Sequence, residues 1–260
     1  MTTAPGAMTT APVFDFHVRL TPREDALHRL FGALDANGIT RAAVAAGGVL
    51  DLDRLSAQLV VGGHVETTAD NGAVLAACAD SGGRLVPFYF ANPYAGGHPY
   101  RSQAHLFRGL ELSPAVYGVG FSDSRSVALV QIAAEHGHPV YTVCTGQAGA
   151  RAADLAGLAR RFPGVPFVSG HCGFIGIDTN GINEIAGQPN IYAETSGCLS
   201  VTARVAIERL GTDRVLFGTE YPLQDPAVEL AKYAALGLDP QMWAKVAWRN
   251  AHRLLAEEAS

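Results

Sequence analysis

Apolar stretches of this sequence repeatedly end in side chains that can do chemistry. Imidazole, thiolate and carboxylate groups bind zinc, and the same groups act as acids, bases or nucleophiles without a metal. Arginine keeps its positive charge and pairs with carboxylates. Polar residues also satisfy the backbone of a following loop, and this explanation is equally good for Asn92, Glu111 and Ser196. The full set comprises His17, Arg19, Asn92, Glu111, Cys144, His171, Glu194, Ser196 and Glu220.

Eight β-rich segments carry these residues, and segments of helical periodicity separate them. Such alternation is typical of a parallel sheet with crossover helices. No GxGxxG or GxxxxGK[ST] motif follows the first segment, so the sequence favours a closed (β/α)8 TIM barrel over a nucleotide-binding open sheet. The C-terminal ends of barrel strands meet at one rim, which brings distant residues together. The predicted strands are VFDFHVRL from Val13, ITRAAVAA from Ile39, RLVPFYFAN from Arg84, GLELS from Gly109, PVYTVC from Pro139, PFVSGH from Pro166, IYAETS from Ile191 and VLFGTE from Val215.

Residues 13–260 are predicted to form one domain, because no linker or repeat divides them. The segment from Leu50 to Val65 has a mixed pattern with paired glycines, and we predict a loop there. A closing helix is predicted after Asp239, which caps it, with Pro240 in its first turn. Residues 1–12, which contain MTTAP twice, are predicted to be disordered and to stand outside the barrel.

Charge and composition exclude several classes of protein. A formal net charge of -5 and the lack of a Lys/Arg cluster argue against a nucleic-acid partner. No stretch reaches the roughly 18 apolar residues that cross a bilayer, and the first residues do not resemble a signal peptide. We therefore predict no membrane association and a cytoplasmic location. The four cysteines have no CxxC spacing, so we predict that they are reduced.

The first predicted strand carries three ionisable residues at every second position. Asp15, His17 and Arg19 should share one face of the strand because successive side chains alternate. Charges that face the helical layer would be buried without partners at high cost. We therefore expect all three side chains to point into the barrel lumen.

Ordered motifs along the chain resemble those of the amidohydrolase-related family. They are DFHVR in the first strand, GHPVYTVCTG in the fifth, FVSGH in the sixth, YAETSG in the seventh, RVLFGTEYP in the eighth and WRNAHRLL near the end. The resemblance covers Val13 to about Leu255 and implies a TIM barrel. It also implies a metal held by two strand-one histidines, a strand-five histidine and a strand-eight aspartate, with a strand-six histidine that contacts substrate or water.

This sequence departs from that pattern at three positions. Asp15, His17 and His171 match, whereas Arg19 stands in place of the second strand-one histidine. Cys144 and Glu220 replace the strand-five histidine and the strand-eight aspartate. Zinc accepts His17, Cys144 and Glu220 as ligands and would keep one position open. Arg19 cannot ligate, and two unit charges about 4 Å apart interact by roughly 4 kcal/mol at an effective dielectric of 20. An inward Arg19 therefore opposes the metal unless Glu220 and Cys144 neutralise its charge.

Three hypotheses for the activity follow from this resemblance. The first is a zinc hydrolase of C–N or C–O bonds in which His171 polarises a small substrate and Arg19 binds its carboxylate; non-oxidative decarboxylation is a close variant. The second is a metal-free enzyme that uses Arg19 for charge, His171 or Glu220 as acid or base, and Cys144 as nucleophile. The third is a ligand-binding descendant without activity. We also predict a homodimer.

Overall fold

The computed structural model describes residues 11–257. Their eight strands all lie in one sheet in chain order, each parallel to the next, so the (β/α)8 TIM barrel is confirmed. The predicted disorder of residues 1–12 falls almost wholly outside the described residues and stays a prediction. The strands are β1 (Val13–Leu20), β2 (Ile39–Ala46), β3 (Leu85–Phe90), β4 (Gly109–Leu112), β5 (Val140–Thr142), β6 (Phe167–Ser169), β7 (Ile191–Glu194) and β8 (Val215–Leu216).

Helices follow the strands and cover the outside of the barrel. The α-helices are α1 (Ala26–Ala36), α2 (Leu52–Val61), α3 (Asn71–Ala79), α4 (His98–Gln103), α5 (Pro114–Tyr117), α6 (Ser124–His136), α7 (Ala152–Arg161), α8 (Thr179–Ala186), α9 (Ser200–Leu210), α10 (Pro226–Leu236), α11 (Pro240–Ala244) and α12 (Asn250–Leu254). Short 3₁₀ helices span Pro93–Ala95, Ala104–Leu106, Gly170–Cys172 and Thr212–Arg214, and a π-helical turn, Lys245–Arg249, joins α11 to α12. Within the described chain no helix has the length and apolar character needed to cross a membrane.

Backbone hydrogen bonds between β1 and the chain around β8 close the barrel. The amide of Phe16 donates to the Phe217 carbonyl at 2.9 Å, and the amide of Glu220 donates to the His17 carbonyl at 2.7 Å. A third bond, from Arg19 to the Tyr221 carbonyl, measures 2.8 Å. These bonds place the rim residues of β1 beside Glu220.

Two apolar layers stabilise this arrangement. One lies between the strands and the helices, and the other fills the lumen. The lumen layer contains Phe14, Phe16, Val86, Phe88, Val168 and Leu216, with Leu254 and Leu255 of the C-terminal segment packed against it. Because this layer fills the lower barrel, polar side chains have room only at the C-terminal rim.

The loop predicted from Leu50 to Val65 is wrong. Residues Leu52–Val61 form α2, whose first turn is capped by the Asp51 side chain accepting from the amide of Arg54 at 2.8 Å. Gln58 is the one buried residue of α2, while Val60 and Val61 are more than 70% exposed. The helix therefore lacks the buried apolar stripe on which recognition from sequence depends.

The predicted closing helix is confirmed, and its cap is as expected. The Asp239 side chain accepts from the amides of Gln241 and Met242 at 2.9 and 2.8 Å. The π-helical turn that follows presents the Val246 carbonyl to the amide of Phe217 at 3.0 Å. The C-terminal segment is thereby attached to β8.

Candidate active site

His17, His171 and Glu220 form a compact group at the C-terminal rim. Each offers one ligand atom, and these atoms lie within 4.8 Å of one another. The Nε2 atom of His171 is 3.2 Å from Glu220 Oε2, and that of His17 is 3.8 Å from Glu220 Oε1. His17 Nε2 is buried and has no hydrogen-bond partner in the part of the chain that the structure describes. A buried, unpartnered nitrogen beside a carboxylate and a second imidazole suits a divalent cation.

Arg19 enters the same cluster, but a neighbouring carboxylate engages its charge. Its guanidinium donates to both oxygens of Glu111, at 2.7 and 3.3 Å. A further donor of Arg19 faces the Ala46 carbonyl at 3.4 Å, and its Nε is 3.5 Å from Glu220 Oε1. Glu111 therefore provides the neutralisation that was expected from Glu220 and Cys144.

A register irregularity in β1 changes the expected alternation. The pairing with β2 shifts between Asp15 and Val18. The Phe16 side chain joins the lumen layer while His17 stacks on Tyr141, with ring centroids 4.0 Å apart. Asp15 is instead held by Thr219, whose amide and hydroxyl donate at 2.9 and 2.5 Å. Burial raises the pKa of Asp15 to about 8, so this carboxyl is a structural link to β8 and lies outside the group of three.

Cys144 is not part of the group, so the predicted ligand set needs correction there. Along β5, Tyr141 and the following Val143 pack with the lumen layer, whereas Cys144 packs between barrel and helices. Its Sγ lies 3.8 Å from the Ser169 hydroxyl. Burial raises the pKa of the thiol to about 12, which opposes a thiolate nucleophile. The physical reason is that the twofold alternation of β5 continues past its last residue, Thr142, and turns Cys144 away from the lumen.

A hydrogen-bond network from β7 supports His171. The Nδ1 atom of His171 is 3.1 Å from the Ser196 carbonyl and 3.0 Å from its hydroxyl. The Ser196 hydroxyl donates to Glu194 at 2.9 Å, and the Tyr141 hydroxyl donates to the same carboxylate at 2.9 Å. Sequence reasoning missed Tyr141, which lies inside the β5 segment instead of at its end, and no signal in the residue types marks its hydroxyl.

The local electrostatics differ between the two histidines. Burial lowers the pKa of His17 well below its usual value, and the charges of Arg19 and His171 add to this. Burial also acts to lower the pKa of His171, but the charges of Glu220 and Glu194 outweigh it and raise the pKa above the usual value. The His17 imidazole is thus neutral and offers a nitrogen lone pair, as a metal-binding histidine must.

The side chains of the cluster are only slightly exposed to solvent. The side chains of Glu220 and His171 are each 16% exposed, whereas that of His17 is 4% exposed. Two cavities of about 350 and 280 Å³ lie around the loop after β5, and among the described residues none of the group of three lines them. Of the three side chains, those of Glu220 and His171 are the more accessible to solvent.

Comparison with known proteins gives one family and many similar folds. A family model described as amidohydrolase matches residues 14–256. A search by sequence among curated proteins gives no match.

Three solved structures illustrate the similarity of fold. A 5-carboxyvanillate decarboxylase from Novosphingobium aromaticivorans, complexed with manganese and 4-hydroxy-3-methoxy-5-nitrobenzoic acid, is 14% identical with a TM-score of 0.70, covering 98% of this chain and 100% of its own. A 2,6-dihydroxybenzoate decarboxylase from Rhizobium is 16% identical with a TM-score of 0.69, covering 95% and 99%. A candidate 2-pyrone-4,6-dicarboxylic acid hydrolase from Pseudomonas putida is 16% identical with a TM-score of 0.72, covering 97% and 100%.

Proposed function

This chain belongs to the amidohydrolase family, and from that premise we propose that it is a metal-dependent enzyme that hydrolyses a C–N or C–O bond of a small carboxylate. The observation that carries the proposal is the grouping of His17, His171 and Glu220 around the unpartnered Nε2 of His17. The ligands predicted from the sequence were His17, Cys144 and Glu220, and in the proposed site His171 takes the place of Cys144.

The charges of the rim support a divalent cation. Two carboxylates, Glu111 and Glu220, face Arg19, and a third, Glu194, accepts from the His171 amide. Buried anions without matching cations are costly. A bound cation would offset this excess, and two imidazoles with one carboxylate accept zinc as well as manganese.

The metal would supply a Lewis acid that polarises the substrate and lowers the pKa of a water. The chain's own residues have separate tasks. Glu220 stands at the solvent edge, where its carboxylate accepts a proton that water releases on hydrolysis. Arg19, whose Nε is 3.5 Å from Glu220 Oε1, orients that carboxylate while Glu111 balances its charge. This role replaces the expected contact between Arg19 and a substrate carboxylate.

Decarboxylation is the second candidate, and two proteins of similar fold favour it, since one is a 5-carboxyvanillate decarboxylase and the other a 2,6-dihydroxybenzoate decarboxylase. In that reaction the C–C bond breaks, CO2 leaves and a proton joins the carbon that CO2 has left. His171, whose pKa is raised, would provide that proton from Nε2 and would then serve as proton donor instead of ligand.

The test is metal content and turnover of the purified chain. Protein loaded with Mn²⁺ or Zn²⁺ is compared with metal-free protein on lactones, amides and hydroxybenzoates, with released CO2 and ring opening measured separately. We expect stoichiometric metal that Glu220→Gln loses and Cys144→Ala keeps. Turnover by metal-free protein, or metal that is lost with Cys144→Ala, would contradict the proposal.

A further inference from the structure

One buried carboxylate connects both imidazoles of the candidate metal site. Glu194 has no exposed surface and accepts from four donors. Two of these are the amide and hydroxyl of Ser196, at 2.5 and 2.9 Å, and the others are the Tyr141 hydroxyl at 2.9 Å and the His171 amide at 3.3 Å. None of these contacts uses a ligand atom of His17, His171 or Glu220.

The first connection runs from Glu194 to His171. Both His171 and Cys172 have left-handed backbone, with φ of 59° and 52°, which L-residues adopt at a cost of about 1–2 kcal/mol each. The bond from the His171 amide to Glu194 holds this turn. The Ser196 carbonyl can only accept, so His171 Nδ1 must carry the proton and the neutral ring presents the Nε2 lone pair to Glu220.

The second connection runs from Glu194 to His17 through Tyr141. The Tyr141 ring lies parallel to the His17 ring, with an interplanar angle of 12°. Its hydroxyl is fixed by Glu194, so the side chain cannot swing about χ1 away from His17 without losing that bond. His17 Nε2 is therefore directed at Glu220 by a stacked ring whose position depends on Glu194.

Neighbouring strands leave space for these two side chains. A Cβ at Gly170 would lie 2.2 Å from the Tyr141 hydroxyl, and a Cβ at Gly218 would lie 2.3 Å from Glu194 Oε1. Both distances are far too short for any side chain. The glycines at the ends of β6 and β8 thus permit the close approach of the network to the rim.

The geometry points to Glu194 as a positioning residue that orients both histidine ligands, one through Ser196 and the His171 amide and the other through Tyr141. This inference rests on the proposed metal site and deepens it. Partners that orient metal-binding histidines typically contribute about 10–100-fold to metal affinity. Tyr141→Phe and Ser196→Ala each remove one connection with little change in volume.

The experiment measures Mn²⁺ affinity by titration calorimetry and the protonation site of neutral His171 by ¹⁵N NMR of the metal-free protein. We expect Tyr141→Phe and Ser196→Ala each to weaken Mn²⁺ binding by about 10–100-fold, and the wild-type ring to carry its proton on Nδ1. Two matched variants serve as controls. Tyr233→Phe removes another buried phenol that bonds to Thr195 at 2.8 Å, and Ser169→Ala removes the buried hydroxyl near Cys144.

The outcomes separate this inference from the proposed function. Wild-type protein that binds no metal, while neutral His171 is protonated on Nδ1, would contradict the proposed function alone. Normal Mn²⁺ affinity in both test variants, or affinity lost equally in the two controls, would overturn the positioning role. A proton on Nε2 of neutral His171 would overturn it as well.

Discussion

The two ends of this barrel contain the same residue types but balance their charges differently. At the N-terminal end, Glu257 lies 2.8 Å from Arg41, 3.7 Å from Arg108 and 3.2 Å from His252, so two arginines face one carboxylate. At the C-terminal rim, Glu111 and Glu220 both lie within 3.5 Å of Arg19, so two carboxylates face one arginine. The N-terminal end thus has an excess of positive charge, and the rim has an excess of negative charge that a cation can match.

Buried histidines also differ between the two ends, although the pKa of His17 at the rim is lowered too. Burial lowers the pKa of His138 to about 4 and also lowers that of His252, and both lie toward the N-terminal end. At the rim, the charges of Glu220 and Glu194 overcome burial and raise the pKa of His171. The N-terminal end therefore keeps His138 and His252 neutral and packed. This is expected, because the N-terminal face of a TIM barrel contributes to stability and not to catalysis.

The largest effect should come from removing the anion that balances Arg19. In Glu111→Gln, Arg19 keeps its charge and takes Glu220 as its partner, 3.5 Å away, so Glu220 is less available to a metal. A charge about 4 Å away contributes roughly 4 kcal/mol at an effective dielectric of 20, so Mn²⁺ affinity should fall by up to about a thousand-fold. Titration calorimetry measures this loss.

Two further variants make that result specific. Arg19→Met combined with Glu111→Gln removes the unbalanced charge and should restore affinity to within about tenfold of wild type. Glu257→Gln removes the matching carboxylate of the N-terminal end and should leave affinity unchanged. If Glu111→Gln alone binds Mn²⁺ normally, the contrast in charge between the two ends has no bearing on metal binding.

The second effect concerns stability at low pH and belongs to the N-terminal end. His138 is buried, and its Nδ1 lies 2.6 Å from the Tyr100 hydroxyl. Its pKa falls from 6.5 to about 4 because burial, and then the charges of His136 and Arg108, oppose protonation. The stability it contributes is fully present above pH 6.5 and is lost as pH falls toward 4, by about 3 kcal/mol in all.

Urea unfolding at pH 7 and pH 4 measures that loss. Wild-type protein should lose about 3 kcal/mol more than His138→Gln between these two pH values. His28→Gln, which changes an exposed histidine of α1 that is not among the causes of this shift, should behave like wild type. Equal losses in wild type and His138→Gln would show that His138 is not held neutral.

The sequence predicted the fold well because the signal repeats eight times. Every strand of the barrel lies where an apolar segment was recognised, whereas α2 was missed since its apolar residues Val60 and Val61 are exposed. His17, Arg19, His171 and Glu220 were recognised as rim residues because each ends such a segment. Tyr141 lies inside its segment, and nothing in the order of residue types shows that its hydroxyl reaches Glu194.

Side-chain direction at a strand end is the part that the sequence could not fix. In β1, the irregular pairing near Asp15 brings both Phe16 and His17 inward, which strict alternation forbids. In β5, alternation is kept and directs Cys144 outward. A shift of one residue decides which side chain enters the lumen, and such a shift depends on pairing with the neighbouring strand.

The smallest effect should come from Cys144 and tests that distinction directly. Because the thiol packs between barrel and helices, Cys144→Ala should cost only about 1 kcal/mol of stability, the typical result of a small truncation in a core. It should leave Mn²⁺ affinity and turnover within about twofold of wild type. Val143→Ala, which truncates the inward neighbour, should change substrate affinity more than Cys144→Ala does. If Cys144→Ala abolishes metal binding instead, the Cys144 side chain points into the lumen and belongs to the metal site.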